Sequence, residues 1–347
     1  MNLLFTVDRN YQKLLETCLK SVFRFPREEG YDVYILHSDF SEEECERIHL
    51  ATLELLETTG VFCESERAIE IFEAGGCRVD HEKKIVKIPA WLVEDSVRKA
   101  PPRVLMAGRD PKNDVVLESG RVNFLTFGQG IMVIDPYTGE RRPSVKKDIA
   151  DVARLVDALP NVDVIEDTLY ASDKDERVAM LHNTEATLSN TTKHQSQGAD
   201  SAHQAKLAIE MAAAIVGGKD KLKDRPIISG GGCPVSPLTL PEGNTEQLIE
   251  YASVGLPCNP LSMAMAGGST PVTLAGTLTV HNAEILSYIV MIQLVNPGNP
   301  CTYGSSTTAM DLRRAIATVG CPELGMISAA VAKMAQFYKI PSFVAGT

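Results

Sequence analysis

The sequence predicts an α/β protein: an incomplete (β/α)8 barrel of the TIM type, preceded by a helical and β-hairpin region and a small βαβ-like appendage. Three observations carry this. From residue 143 onward, stretches with helical spacing alternate six times with short apolar runs, each unit about 30–40 residues long, the size of a parallel crossover unit. The apolar runs end in loops rich in Gly, Ser, Thr and Gln, where barrel active sites sit. No strand-to-helix turn carries a dinucleotide fingerprint: Gly230-Gly231-Gly232 is followed by Pro234 and Pro237, which do not build a phosphate-binding helix start.

The elements divide the chain into three stretches. In residues 1–40, apolar runs over 1–7 and 31–36 read as strands, and Leu14, Leu15, Cys18, Leu19 and Val22 give a helix over 11–23 its spacing. In residues 41–142, Ser41 caps a helix over 41–59, with Glu43 and Glu44 in its first turn. A second helix over 65–74 ends at Gly75-Gly76. Residues 77–89 alternate around the polar tip Asp80-His81-Glu82, a hairpin pattern, and short strands are expected over 104–107, 115–117 and 122–127. In residues 143–347 the barrel units pair helices over 146–159, 176–189, 202–216, 245–254, 274–294 and 323–338 with strands over 162–166, 191–195, 226–229, 259–264, 300–303 and 341–344. Six strands leave a closed eight-stranded barrel incomplete. The region before residue 143 is not expected to supply the rest, because its strands are short and turn-linked in antiparallel style.

Composition narrows the function. A net charge of −11 argues against nucleic acid as the main partner. The first residues turn polar without a basic lead, and no run of about 18 apolar residues marks a membrane span. The 8 cysteines form no CxxC and no histidines stand at HxxxH spacing, so neither a disulfide framework nor a zinc site is expected. Reduced buried thiols in a cytoplasmic protein are the expectation.

Three segments resemble the trimethylamine:corrinoid methyltransferase family: ERIHLATLELLETTGV (46–61), RDPKNDVVLESGRVNF (109–124) and PLSMAMAGGSTPVTLAGTLTVHNAEIL (260–286). The last is the most specific: a strand, a Gly-Gly turn and a helix bearing His281-Asn282-Ala283-Glu284. YGSSTTAMD (303–311) and the closing FVAGT also match, so the resemblance covers residues 41 to 347. Residues 1–40 instead resemble the start of a family 8 glycosyltransferase, whose metal-binding Asp-x-Asp should follow an apolar strand. The one such triplet, Asp173-Lys174-Asp175, opens a polar helix.

The methyltransferase resemblance implies methyl transfer from trimethylamine, or a related methylated amine, to the cobalt of a corrinoid held by a cognate partner protein. No cofactor is then bound directly and no metal site is needed, and a homo-oligomer is expected for the full-length form. In that family pyrrolysine is encoded by an in-frame amber codon near the residue that would follow Thr347, so the resemblance implies a pyrrolysine there and an inactive chain without it. The alternatives are a nucleotide-sugar glycosyltransferase and a non-catalytic amine-binding fragment.

A tertiary amine is a poor methyl donor because the leaving amine is basic, so such a site needs acids or amides beside a cation and apolar walls. The strand ends offer Glu166, Asp167 and Tyr303 as catalytic candidates. Gln129, Tyr170, Gln195, Gln197, Met263, Met265, Ser305 and Thr308 are the substrate-binding candidates. Each has a structural alternative. Glu166 and Asp167 can cap the next helix, Met263 and Met265 can pack the barrel interior, and His194 and His281 read as satisfied packing histidines. Gly230–Gly232 and Gly267-Gly268 either let a flat ring approach or form tight turns.

Overall fold

The structure, a computed structural model, describes residues 2–6, 32–36 and 40–345. Strands β1 (Asn2–Thr6) and β2 (Asp32–Leu36) pair in parallel, Asn2 opposite Asp32 and Thr6 opposite Leu36. The helix expected over 11–23 lies outside the described residues.

Helix α1 (Glu42–Thr58) starts on a capping box. The Ser41 hydroxyl accepts from the Glu44 amide at 3.2 Å and the Glu44 carboxylate accepts from the Ser41 amide at 2.8 Å. Strand β3 (Val61–Cys63) and helix α2 (Glu66–Ala74), capped by Ser65, follow. The expected hairpin is β4 (Arg78–Asp80) with β5 (Ile85–Lys87), after which comes α3 (Ala90–Lys99). These strands form a sheet of order β13-β3-β5-β4, in which β13 (Thr239–Leu240) arrives from the barrel and runs parallel to β3. Strands β6 (Arg103–Met106) and β7 (Val115–Glu118) pair antiparallel, and their Val104, Met106 and Val115 pack on Val164 of the barrel. A second hairpin, β8 (Met132–Ile134) with β9 (Arg141–Pro143), is held by Arg142, whose guanidinium bridges Asp135 and Asp148.

Six αβ units then follow. They are α4 (Lys146–Ala158) to β10 (Val164–Glu166), α5 (Glu176–Asn190) to β11 (His194–Gln197), and α6 (Ala202–Val216) with α7 (Lys219–Asp224) to β12 (Ile228–Gly232). Helix α8 (Glu242–Ser253) leads to β14 (Cys258–Ser262), α9 (Leu274–Val295) to β16 (Tyr303–Ser305), and α10 (Pro322–Tyr338) to β19 (Ser342–Val344). The sheet order is β10-β11-β12-β14-β16-β19, parallel throughout. A small sheet, β15 (Met265–Ala266), β17 (Thr308–Asp311) and β18 (Ile316–Ala317), stands beyond the ends of β14 and β16.

One expectation is corrected. The stretch 124–130, assigned from sequence to the antiparallel region, runs parallel beside β10. The Asp163 amide donates to the Phe124 carbonyl at 2.7 Å, the Gly130 amide to the Thr168 carbonyl at 2.9 Å, and the Tyr170 amide to the Gly130 carbonyl at 3.0 Å. The approach is close enough that a side chain at Gly128 would run into the Asp167 backbone. Seven parallel positions therefore curl side by side, not six. Among the described residues no ladder joins 124–130 to β19, and the sheet stays open.

The core lies between sheet and helices. Helix α9 is long and apolar enough to pass for a membrane span by composition, yet 78% of its most apolar stretch is buried in the protein. Residues 281–293 along it are all buried, which explains why it lacks a polar face.

Candidate active site at the carboxyl ends of the strands

Side chains on a strand alternate between faces, so one contact per strand sets which residues enter the barrel. On β10, Ile165 packs against Ala153 and Val156 of α4, so Val164 and Glu166 point inward. On β12, a side chain at Gly230 would meet Tyr251 and one at Gly232 would meet Leu248, both on α8, so Ser229, Gly231 and Cys233 point inward. On β11, His194 and Ser196 are inward: the His194 Nε2 lies 2.9 Å from the Ser229 hydroxyl, and Asn259 of β14 donates to Ser196 at 3.2 Å and to Ser229 at 2.8 Å. Thr302 completes this layer by donating to the Asn259 Oδ1 at 3.2 Å. Four neighbouring strands thus share one hydrogen-bonded polar layer inside the sheet. Burial drops His194 to about 4, so it is neutral there and its nitrogens are satisfied by Ser229 and by the Pro226 carbonyl at 2.9 Å.

Beside and beyond that layer the partners run out. Glu166 Oε2, Thr168 Oγ1 and Ser306 Oγ are buried with no hydrogen-bond partner among the described residues. All three fall at the carboxyl ends of barrel strands, where buried polar groups left free require an explanation. Gly231 adds space, since a side chain there would meet nothing nearer than the Gln197 carbonyl at 3.5 Å. Desolvation, with the neighbouring charge of Asp167, pushes Glu166 up to about 8, so it keeps its proton at neutral pH. Cys233 stands near enough to feel a charge on Glu166, and burial pushes its thiol up to about 11.

Asp167 faces the other way. Its carboxylate accepts from the Gly198 amide at 2.8 Å and from Gln195 at 3.4 Å, on the side of α5. Burial raises it to about 7 despite those two bonds, which pull it down. Gln195 and Gln197 do share a face, as their alternation suggested, but it is the helix side: Gln197 donates to the Tyr251 hydroxyl on α8. Each keeps one buried carbonyl oxygen unpartnered. Gln129 is exposed, and its amide donates to the Met180 sulfur of α5 at 3.4 Å. Tyr170 is half-buried beside the acids Glu176 and Asp200, and desolvation raises it first.

Tyr303 is buried behind the sheet, donating to Asn282 of α9 at 2.7 Å and resting edge-on against the His281 ring. It is not brought to Glu166. Ser305 shares its face and accepts from the Thr307 amide at 3.1 Å. Thr308 donates to the Thr318 carbonyl at 3.0 Å inside the small outer sheet. Met263 is 48% exposed, at the rim rather than in the interior, and Met265 lies in β15. His281 is buried and held low, to about 3, with Nδ1 3.1 Å from the Thr307 hydroxyl and Nε2 unpartnered. Gly230 and Gly232 turn toward α8, and of the three glycines only Gly231 lines the interior. In the Asp-x-Asp triplet, Asp175 caps α5 and Asp173 accepts from the Lys146 amide at 2.8 Å. The residues sequence reasoning passed over are Thr168, Ser196, Ser229, Cys233, Asn259, Thr302 and Ser306. Part of the signal was present: Thr168 stands two residues from Glu166, and Ser196 two from His194.

A parallel (β/α) barrel that holds an unpartnered, proton-retaining acid at its strand ends has the layout of a barrel enzyme. The family model of trimethylamine methyltransferase (MTTB) matches residues 32–347. A relative named trimethylamine methyltransferase MttB, from Desulfitobacterium hafniense, is 48% identical over 92% of this chain and 64% of its own length. The Methanosarcina thermophila protein of that name is 44% identical over 89% of this chain and 65% of its own. A glycine betaine methyltransferase from Desulfitobacterium hafniense is 32% identical over 87% of this chain and 63% of its own. The chain belongs to the trimethylamine methyltransferase family, and it spans about 64% of the length of the first of these relatives. Among solved structures, the monomethylamine methyltransferase of Methanosarcina barkeri aligns with a TM-score of 0.53 over 87% of this chain and 67% of its own, at 12% identity, a likeness of fold. The family match begins at residue 32 and so takes in β2, which the sequence grouped with the glycosyltransferase-like front.

Proposed function

We propose that this chain carries the barrel of an enzyme that moves a methyl group from trimethylamine, or a related simple methylated amine, to the cobalt of a corrinoid held by a separate protein. The observation that supports it is Glu166, inside the barrel mouth, with a free oxygen and its proton retained at neutral pH. A neutral amine that gave up a methyl cation would leave as an amide anion, a very poor leaving group, so its nitrogen has to become cationic before the methyl departs. Glu166 supplies that proton; the carboxylate left behind then pairs with the ammonium it has made. When the methyl leaves as a cation, the bonding pair stays on nitrogen and the product is the neutral secondary amine. The corrinoid's part is to accept the methyl.

The residues around the mouth fit a simple amine better than a betaine. The charged groups near Glu166 are acids, Asp167 and, close to Asp167 in turn, Asp200. A substrate with its own carboxylate would be repelled there. The test is methyl transfer to a cob(I)alamin acceptor by the intact gene product. Glu166→Gln is expected to slow transfer about tenfold or more, the usual scale for a positioned acid. Asp167→Asn, which weakens the bond to Gly198, is expected to slow it as well. Unchanged turnover in both variants would reduce the two acids to structural groups.

A further inference from the structure

Helix α9 carries a buried carboxylate that the barrel mouth does not use directly. Glu284 has no exposed surface, and among the described residues no lysine or arginine pairs with it. Its Oε2 accepts from the Ser262 hydroxyl at 2.6 Å, at the end of β14, and from the Ser236 hydroxyl at 2.9 Å. Its Oε1 accepts from the Leu238 amide at 3.0 Å. Two of these three donors lie in one loop, 233–240, which runs from β12 to β13. The far end of the same loop is tied to the N-terminal sheet, where the Phe62 amide donates to the Leu238 carbonyl at 2.8 Å. Its near end is Cys233, the inward residue that faces Glu166.

A buried carboxylate is costly unless its oxygens are filled by donors. Here all the donors come from one strand end and one loop, so the cost is met only while that loop stays in place. Burial raises Glu284, and the three hydrogen bonds oppose the rise. A surface loop of ordinary composition has no need of such an anchor. This one starts at Cys233, which stands near enough to Glu166 to feel its charge.

We propose that Glu284 is a positioning residue: it pins loop 233–240 so that Cys233 stays packed across the mouth and keeps water from Glu166. The proposal rests on the reading of Glu166 as the working acid, but its test does not need methyl transfer. The titratable groups that the structure brings to Glu166 are Asp167 on its own strand and Cys233 opposite, and neither is changed by substitution at 284.

The test is the titration of Glu166 in the intact protein, followed by infrared absorption of its protonated carboxyl with the Glu166→Gln spectrum subtracted. Glu284→Gln puts an amide N–H where the Leu238 N–H or a serine hydroxyl needs an acceptor. The Glu166 midpoint is expected to fall by about one pH unit or more as water enters. Exchange of the Leu238 amide with deuterium is expected to quicken about tenfold or more as its bond opens. Ser236→Ala removes one hydroxyl and leaves the carboxylate, and a smaller fall in the same direction is expected; it also keeps the test alive if Glu284→Gln does not fold. A folded variant whose Glu166 midpoint is unmoved overturns the proposal, even if the Leu238 amide exchanges faster. A shifted midpoint with no methyl transfer in the parent protein would retain the clamp and discard the functional reading.

Discussion

Glu166 ties stability to pH in a way that one substitution removes. Its folded value of about 8 lies above the ordinary 4.5, so the folded state holds a proton that the unfolded chain releases. A raised acid contributes stability that is full below about 4.5 and is lost as pH climbs through about 8. At about 1.4 kcal/mol per pH unit, the whole span is of order 5 kcal/mol. Between pH 5 and pH 9 about 4 kcal/mol of it should go, with roughly 1.4 kcal/mol left at pH 7. The absolute stability will not show this cleanly. His194 and His281 are held low, to about 4 and about 3, and they take stability away as pH falls below about 6.5. The readout is therefore the difference between the parent and Glu166→Gln, measured by urea denaturation at pH 5, 7 and 9. The glutamine cannot titrate, so the histidine contributions cancel. The parent should lose ground to the variant steadily with rising pH. A difference that is flat across that range would mean that Glu166 is wet and ordinary, and the proposed acid would lose its physical basis.

Two further substitutions test the frame around it. Gly230→Ala places a methyl 2.5 Å from the Tyr251 ring, which is itself fully buried, and should cost about 1–3 kcal/mol in urea denaturation, whereas Gly231→Ala has room and should leave the midpoint near its parent value. Equal effects at the two positions would refute the assignment of faces on β12. Lys193→Met removes an ammonium that donates to the carbonyls of Val156 at 2.7 Å, Leu159 at 2.5 Å and Val162 at 2.5 Å, and should cost about 2–3 kcal/mol, with faster amide exchange at the end of α4. An unchanged midpoint would show that water replaces the lysine at no cost.

The helices and barrel strands were legible because their information is local. Ser41 and Glu44 announce a capping box, and Asp175, Ser201 and Thr273 cap α5, α6 and α9 where the pattern begins. What is non-local was not legible. Nothing near Thr239 or Val61 says that β13 and β3 will meet across about half of the chain. The parallel course of 124–130 is likewise written in no residue of its own: Gly128 and Gly130 permit it, and only the partner β10 makes it. At the site the difficulty was phase. Gln195 and Gln197 look like a binding pair because they alternate, and they do share a face. Which face depends on whether Ser196 or Gln195 meets the helices, and a register shift of one residue reverses every assignment. Tyr303 fell to the same ambiguity. Its hydroxyl lies with Asn282, while Thr302 and Ser306 beside it take the interior.

That phase rule also bears on the two acids. Glu166 and Asp167 are consecutive, so they cannot face one substrate together while their backbone stays extended. The chain resolves this by giving them opposite surroundings. Asp167 turns to the helix side and meets donors, the Gly198 amide and Gln195, which stabilise its charge. Glu166 turns inward, where one oxygen finds none. Burial raises both acids; beside it, charge on Asp167 raises Glu166 further, while the charge that raises Asp167 is that of Asp200. The bonds to Asp167 therefore do more than anchor the turn after β10. They favour charge on Asp167 at the back of the strand, and that charge works in the same direction as burial to keep the proton on Glu166 at the front.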